Sequence, residues 1–232
     1  MIIPLFPLQS VLFPGGRLPM RIFEQRYMDM AKVCLKESSS FGICLIAQGE
    51  EIASPGRKAA KPHAVGTLAH IADWDMQQLG VLNIIAQGGE RFRLLRHWTE
   101  DSGLLRGEIE PIATPTVLPV PGAYARLVPL LRAIVGDMAA GSPNAPAMPH
   151  RFFDAGWLGM RYAEVLPIPV VAKQKLLEID DTLRRMTHER SSDQSLREQA
   201  LANGMRALRD DGLRWVRAGE TTLEELLRVT RD

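Results

Sequence analysis

The strongest constraint on what this chain can fold into is the proline punctuation at its start. Pro4, Pro7, Pro14 and Pro19 cut short the apolar bursts Leu5, Phe6, Leu8 and Val11, Leu12, Phe13. Proline has no backbone donor, so within sheets it is held to edges, bulges and strand starts. The pattern therefore predicts short, bent strands of a curved sheet rather than a helix. Pro14-Gly15-Gly16 reads as a turn, since proline presets φ and glycine admits positive φ. After it Leu18, Met20 and Ile22 alternate with Arg17, Pro19 and Arg21, a strand with one buried face. From Phe23 the period lengthens. Phe23, Tyr27, Met30, Ala31 and Cys34 share one helical stripe, predicting a helix over 23–36.

Further along, Phe41–Ala47 is apolar on both parities, as a strand buried on both faces would be. A polar, glycine- and proline-bearing loop follows. Val65–Trp74 and Gly80–Gln87 read as strands, with Asp73–Leu79 as the hairpin tip between them. Gly88-Gly89 reads as the next turn, and Arg91–Trp98 and Leu104–Glu110 as two further strands. About six to eight short strands with one early helix predict a closed or nearly closed barrel. Pro111, Pro115, Pro119 and Pro121 mark a stiff linker. Beyond it Tyr124, Leu127, Val128, Leu131, Val135 and Met138 fall on one helical face, where Pro129 predicts a kink or a late start. Phe152–Val165 reads as a second helix. Pro169 opens a third, running through Ile179, and Asp180-Asp181 cap a short fourth. The expectation is an α+β chain: a β-barrel over 1–118, a small helical bundle over 119–188, and a linker with a short helical tail over 189–232.

Charge narrows the partners. The formal net charge is +1, and the 12 Lys and Arg of residues 1–118 are matched by 12 Asp and Glu. That balance argues against a binder that works by neutralising phosphates. Cys34 and Cys44 could form a disulfide or stay as two buried free thiols; the thiols are expected. No uncharged apolar run reaches the ~18 residues of a membrane span. No secretory signal is visible, so a cytoplasmic chain is expected.

Enzyme machinery is hard to find. The phosphate-cradling pattern G-x-x-x-x-G-K-[ST] is missing, and there is no Gly-Lys dipeptide. The five histidines are scattered without metal-ligand spacing, so no metal and no cofactor are expected. Asp73 and Asp75 could be a carboxylate pair for acid–base work. The favoured reading is a turn plugged by Trp74. Arg91, Arg93, Arg96 and Trp98 could form a basic-aromatic patch for single-stranded nucleic acid, with Glu90, Glu100 and Asp101 cancelling much of its field. Glu24 is placed to pair with Arg21 or Arg26 and lock helix to strand.

The segment LFPLQSVLFPGGRLPMRIFEQRY resembles the opening of the Lon protease amino-terminal domain, in the form found as small stand-alone bacterial proteins. FGICLI at 41–46, VGTLAHIADWD at 65–75, GGERFRLL at 88–95, GLLRGEIE at 103–110 and LPIPVVAKQKLLEIDD at 166–181 match in order, so the resemblance covers 1–187. It implies a PUA-like barrel and a non-catalytic module, because the serine and lysine of the Lon proteolytic domain have no counterpart here. It implies binding of unfolded or exposed apolar protein segments, as an adaptor or regulator in protein quality control, with a Lon-type protease as a candidate partner. The candidate peptide-binding residues are Phe13, Phe23, Tyr27 and Trp157, in an apolar groove between barrel and bundle. The alternatives are an RNA-binding module of the same barrel type and a secretion-ATPase-associated interaction protein. The second rests on the tail. There ALANGMRALRDDGLRWVRAGETTLEELLRVT resembles the carboxy-terminal end of type II secretion and type IV pilus ATPases, without their nucleotide site. Locally, Gly204 and Gly219 read as helix ends, and Thr221 and Glu224 have capping-box spacing for a last helix.

Overall fold

A computed structural model gives the architecture; it describes residues 1–49, 60–114, 117–139, 142–143 and 145–179. The Asp180-Asp181 cap and the tail helices lie outside the described residues. Met1–Glu178 forms one compact unit.

Seven strands and an early helix make up its first part: β1 (Ile2–Leu8), β2 (Arg17–Ile22), α1 (Gln25–Glu37), β3 (Phe41–Gln48), β4 (Lys61–Pro62), β5 (Val65–Gln78), β6 (Val81–Thr99) and β7 (Leu105–Pro111). Neighbours run β1-β7-β6-β5-β3, and β3 returns to β1. This gives a barrel-like ring that closes unevenly. The closing pair is parallel, Leu5↔Gly42 through Leu8↔Leu45, whereas the other pairings are antiparallel. β2 adds to the first half of β6, from Arg17↔Gln87 to Ile22↔Leu82.

Two long strands replace the expected short ones. β5 continues through Asp73 to Gln78, so the hairpin tip is only Leu79-Gly80, with Gly80 at φ +81°. β6 passes straight through Gly88-Gly89, which is not a turn. Register shifts at Thr67/Ala69, Ile71/Asp73 and Leu94/Arg96 bend these strands instead. Gly88 is required by a close approach. A Cβ there would run into the carbonyl oxygen of Phe13. In exchange, Gly88 O accepts from Gly15 N at 2.8 Å and Gly88 N donates to Gly16 O at 2.9 Å. The Pro14-Gly15-Gly16 turn is thereby clamped to the middle of β6, with Gly15 at φ +76°.

The core follows the alternation. Met20 and Ile22 of β2, Leu82, Ile84 and Ala86 of β6, and Tyr27, Met28, Met30, Ala31 and Cys34 of α1 share one cluster. A second cluster fills the ring with Ile3, Leu5, Cys44, Phe92, Leu105 and Ile109. Phe92 fits because Gly42 and Gly66 are bare: a Cβ on either would lie 2.7–2.8 Å from its Cζ. Both cysteines are buried free thiols. Burial alone pushes the Cys44 thiol up to about 12, so it is inert as a nucleophile.

Three helices follow: α2 (Leu127–Ala139), α3 (Ala155–Val165) and α4 (Val170–Glu178). Pro129 falls in the first turn of α2, where its missing N–H costs nothing, so the outcome is the late start. Asp154 caps α3 by accepting from Gly156 N at 2.9 Å. Leu131 and Val135 pack on Trp157 and Leu158. Phe13, Val65, Ala163 and Leu177 join this layer to the barrel.

Candidate functional site

Where barrel meets helices, polar groups do as much as apolar ones. Arg161 of α3 is 1% exposed. Its Nη2 donates to Pro14 O at 2.7 Å and pairs with Glu164 Oε1 at 2.8 Å. Arg91 of β6, 3% exposed, donates from Nη1 to Leu177 O of α4 at 2.7 Å. Gln174 Nε2 donates to Val65 O at 3.0 Å. Thr67 Oγ1 donates to Leu12 O at 2.6 Å and holds the β1–β2 connection against β5. Apart from the Arg161–Glu164 pair, each of these bonds ends on a main-chain carbonyl, so the side chains fix the path of the backbone as well as filling space.

Beside this seam lies a groove of about 430 Å³. Its barrel wall is Gln9, Ser10, Val11, Leu12, Arg17 and Leu18. Its helical wall is Glu164, Val165, Ile168, Val170 and Lys173, with Met138 of α2. Two apolar walls studded with a few polar groups are the usual make-up of a ligand site. Lys173 Nζ donates to Glu164 O at 2.8 Å. Arg17 Nε is buried without a hydrogen-bond partner. Burial pushes the Glu164 carboxyl up to about 7, against the opposing pull of Arg161 and Lys173. The carboxylate lies against the bare Cα of Gly16, where a Cβ would meet Glu164 Oε1. The glycine of the turn thus gives the acid its place.

The four candidate residues named from sequence do not converge. Phe13 is wholly buried in the barrel–helix junction. Tyr27 is buried in the α1 cluster, stacked on Phe6 at 3.9 Å between ring centroids. Trp157 is buried in the helical layer beside Phe152, at 5.1 Å. Phe23 alone is exposed, and it precedes α1 rather than sharing its buried stripe. None of the four lines the groove. The residues that do were missed, although the i, i+3 spacing of Arg161 and Glu164 within an apolar helix was readable.

Asp73, Trp74 and Asp75 lie in β5, and Trp74 is 56% exposed beside a second hollow of about 350 Å³, so it plugs nothing. Arg91 turns inward, and Arg96 pairs with Glu108 while lying over Trp98. The basic-aromatic patch is therefore divided between interior and surface. Glu24 pairs with Arg26 at 2.8 Å, and Arg26 Nη1 donates to Gly103 O at 2.8 Å, tying the start of α1 to the β6–β7 loop. Among the described residues, no group of His, Cys, Asp and Glu is arranged to hold a metal ion, and no helix is long and apolar enough to cross a membrane.

Comparison with known proteins bears on this arrangement. Residues 2–190 match the family model of the ATP-dependent protease La (LON) substrate-binding domain. The chain belongs to the Lon substrate-binding domain family. A solved Lon N-terminal domain protein from Xanthomonas campestris is 32% identical, with a TM-score of 0.61, over 81% of this chain and 96% of that one. The Lon protease of Anaeromyxobacter dehalogenans is 26% identical over 189 residues, 80% of this chain but 22% of that protein. This Lon domain thus spans about a fifth of the length of the full Lon protease it matches. A separate, short similarity links the chain to the type II secretion system protein HxcR of Pseudomonas aeruginosa. It is 57% identical over 58 residues, 25% of this chain and 12% of that protein. The Lon-domain fold expected from sequence, α+β with a barrel-like ring, holds.

Proposed function

We propose that this protein is a non-catalytic module that binds exposed apolar segments of other polypeptides, with the seam groove as the seat. Its barrel and its helices α2, α3 and α4 supply the two walls. The observation that carries this reading is the groove itself: Val11, Leu12 and Leu18 face Val165, Ile168 and Val170 across a space sized for side chains. Family membership supports it, since the family is described as substrate-binding. Binding would draw on apolar area removed from water, at about 25 cal/mol per Å². The role is that of an adaptor or regulator in protein quality control, alongside a Lon-type protease. Of the four sequence candidates, Phe23 has the exposed face for direct contact; the other three act beneath the surface by holding the walls.

The test is retention of an unfolded client. The full chain is immobilised and challenged with a reduced, carboxymethylated protein and with its folded form. Selective capture of the unfolded form, lost in Ile168→Lys and Leu18→Lys, is the expected result. Equal capture by wild type and both variants removes the groove as the seat.

The similarity to type II secretion proteins supports a second reading, in which the tail docks on a secretion assembly. Deleting residues 191–232 separates the two. Client capture survives the deletion under the first reading, and a pull-down with secretion components is lost under the second.

A further inference from the structure

From the distribution of charge in the groove we infer that its occupant is an apolar segment carrying an acidic side chain, whose carboxylate is gripped between Arg17 of β2 and Lys173 of α4. This deepens the proposed function and rests on it.

Three observations point the same way. Arg17 lines the groove with its Nε buried and unbonded. A desolvated donor left without an acceptor is costly, and turning the guanidinium toward a ligand oxygen in the groove removes that cost. Lys173 lines the opposite wall and uses one of its three donors on Glu164 O, which leaves two. Glu164, the groove's own acid, has its Oε1 held by the buried Arg161 at 2.8 Å. The lining therefore carries two cations, Arg17 and Lys173, against one carboxylate, Glu164, whose Oε1 is already paired with Arg161. Apolar residues flank each cation, Leu18 beside Arg17 and Val170 near Lys173. An acid within an apolar stretch fits that alternation, since its neighbours cover apolar wall on both sides. Guanidinium and ammonium donors to one carboxylate form charge-assisted bonds, roughly twice as strong as neutral ones.

The charges facing Glu164 fix how pH acts. They are Arg161 on its own helix and Lys173 on α4; of the other lining residues, β2 brings Arg17, the β1–β2 connection only uncharged Gln9, Ser10, Val11 and Leu12, and α2 only Met138. Burial holds the Glu164 carboxyl at about 7. Below that value it is neutral and the groove is more positive. A peptide glutamate, with an ordinary value of about 4.3, is ionised on both sides of it. Preference for the acidic peptide is therefore stronger at about pH 6 than at about pH 8.

Fluorescence anisotropy on the full chain tests this with three labelled peptides, blocked at both ends and rich in Leu and Val. They carry a central Glu, Gln or Lys. The expected result is binding of the Glu peptide about five-fold or more tighter than the Gln peptide, with the Lys peptide weakest. Arg17→Met and Lys173→Met, checked for folding by circular dichroism, should each reduce the Glu preference, read as the ratio of Glu-peptide to Gln-peptide affinity. Equal binding of Glu and Gln peptides to the wild type overturns the inference while leaving the proposed function standing. So does a Glu preference that survives in Lys173→Met. Failure of all three peptides to bind overturns the reading of the groove, and the inference with it. A Gln peptide with a free C-terminal carboxylate, if it bound as tightly as the internal Glu peptide, would overturn the assignment to a side chain.

Discussion

Arg161 Nη2 lies 2.7 Å from the carbonyl oxygen of Pro14, a bond between residues 147 positions apart in sequence. It joins the middle of α3 to the turn that β6 clamps at Gly88. One guanidinium therefore ties the helical layer to the one stretch of the barrel that also forms the groove wall. Breaking a buried charged contact by removing one partner is far more costly than losing a surface pair.

Arg161→Met should accordingly lower stability by about 2–4 kcal/mol. The Pro14 carbonyl loses its donor and Glu164 its counter-charge, although Met fills much of the volume. Arg161→Lys should recover only part of the loss, because a single ammonium cannot reproduce the planar fork. Urea unfolding followed by tryptophan fluorescence measures both. A midpoint for Arg161→Met equal to that of the wild type would show that the bond is not holding the layers together.

Gly88→Ala should be severe, costing more than about 2 kcal/mol. Its Cβ would meet the Phe13 carbonyl oxygen, a backbone atom that cannot rotate aside, with Leu12 Cγ also at 3.2 Å. Gly89→Ala provides the comparison, because its Cβ would come no closer than 3.4 Å to Leu68 O. Thermal unfolding of the pair should show a large drop for the first and a small change for the second. Similar drops for both would mean that strand geometry, and not the contact with Phe13, sets the requirement.

These two glycines also show where sequence reasoning stops. Elements decided by their own periodicity were legible: the alternation of β2, the both-sided burial of β3, and the Leu105, Gly107, Ile109 face of β7. A glycine pair, in contrast, fits a turn or a close approach equally well, and only the distant Phe13 decides between them. Asp73–Gln78 stays a strand because β6 pairs with it, despite its polar composition. The groove was legible in kind but not in membership. Large aromatics suggested contact surfaces, yet Phe13, Tyr27 and Trp157 are what the cores needed. Arg17 and Lys173 reach the same groove only through folding, with no local pattern to mark them.

Glu164 predicts a pH dependence of stability with a definite sign. Its carboxyl is raised from an ordinary 4.5 to about 7, chiefly by burial. The fold therefore favours the protonated form. That contribution is complete below about pH 4.5 and is lost as pH rises through about 7, amounting to at most about 3 kcal/mol. Glu164→Gln holds the site neutral and keeps an acceptor for Arg161. Its stability should vary less between those limits than that of the wild type, with the difference greatest on the alkaline side. Chemical unfolding at a series of pH values reads this directly. Parallel curves for the two proteins would place the acid's titration near its unfolded value.

Arg91 is a structural cation, unlike its surface neighbour Arg96. The sequence groups it with Arg93, Arg96 and Trp98, but the fold buries it and sets its Nη1 on the carbonyl of Leu177. The end of α4 hangs on that bond together with Gln174, whose Nε2 reaches Val65 O. Arg91→Met should therefore loosen α4. Amide exchange across Val170–Glu178 should accelerate, and stability should fall by about 2 kcal/mol, the cost of leaving a buried polar group unsatisfied. Arg96→Gln should do far less, since its pair with Glu108 is exposed and such pairs contribute about 0–1 kcal/mol. Arg91→Met with unchanged exchange in α4 would contradict the anchoring role. Unchanged exchange in Arg96→Gln is the expected contrast, because a surface arginine can leave its partner to water and an interior one cannot.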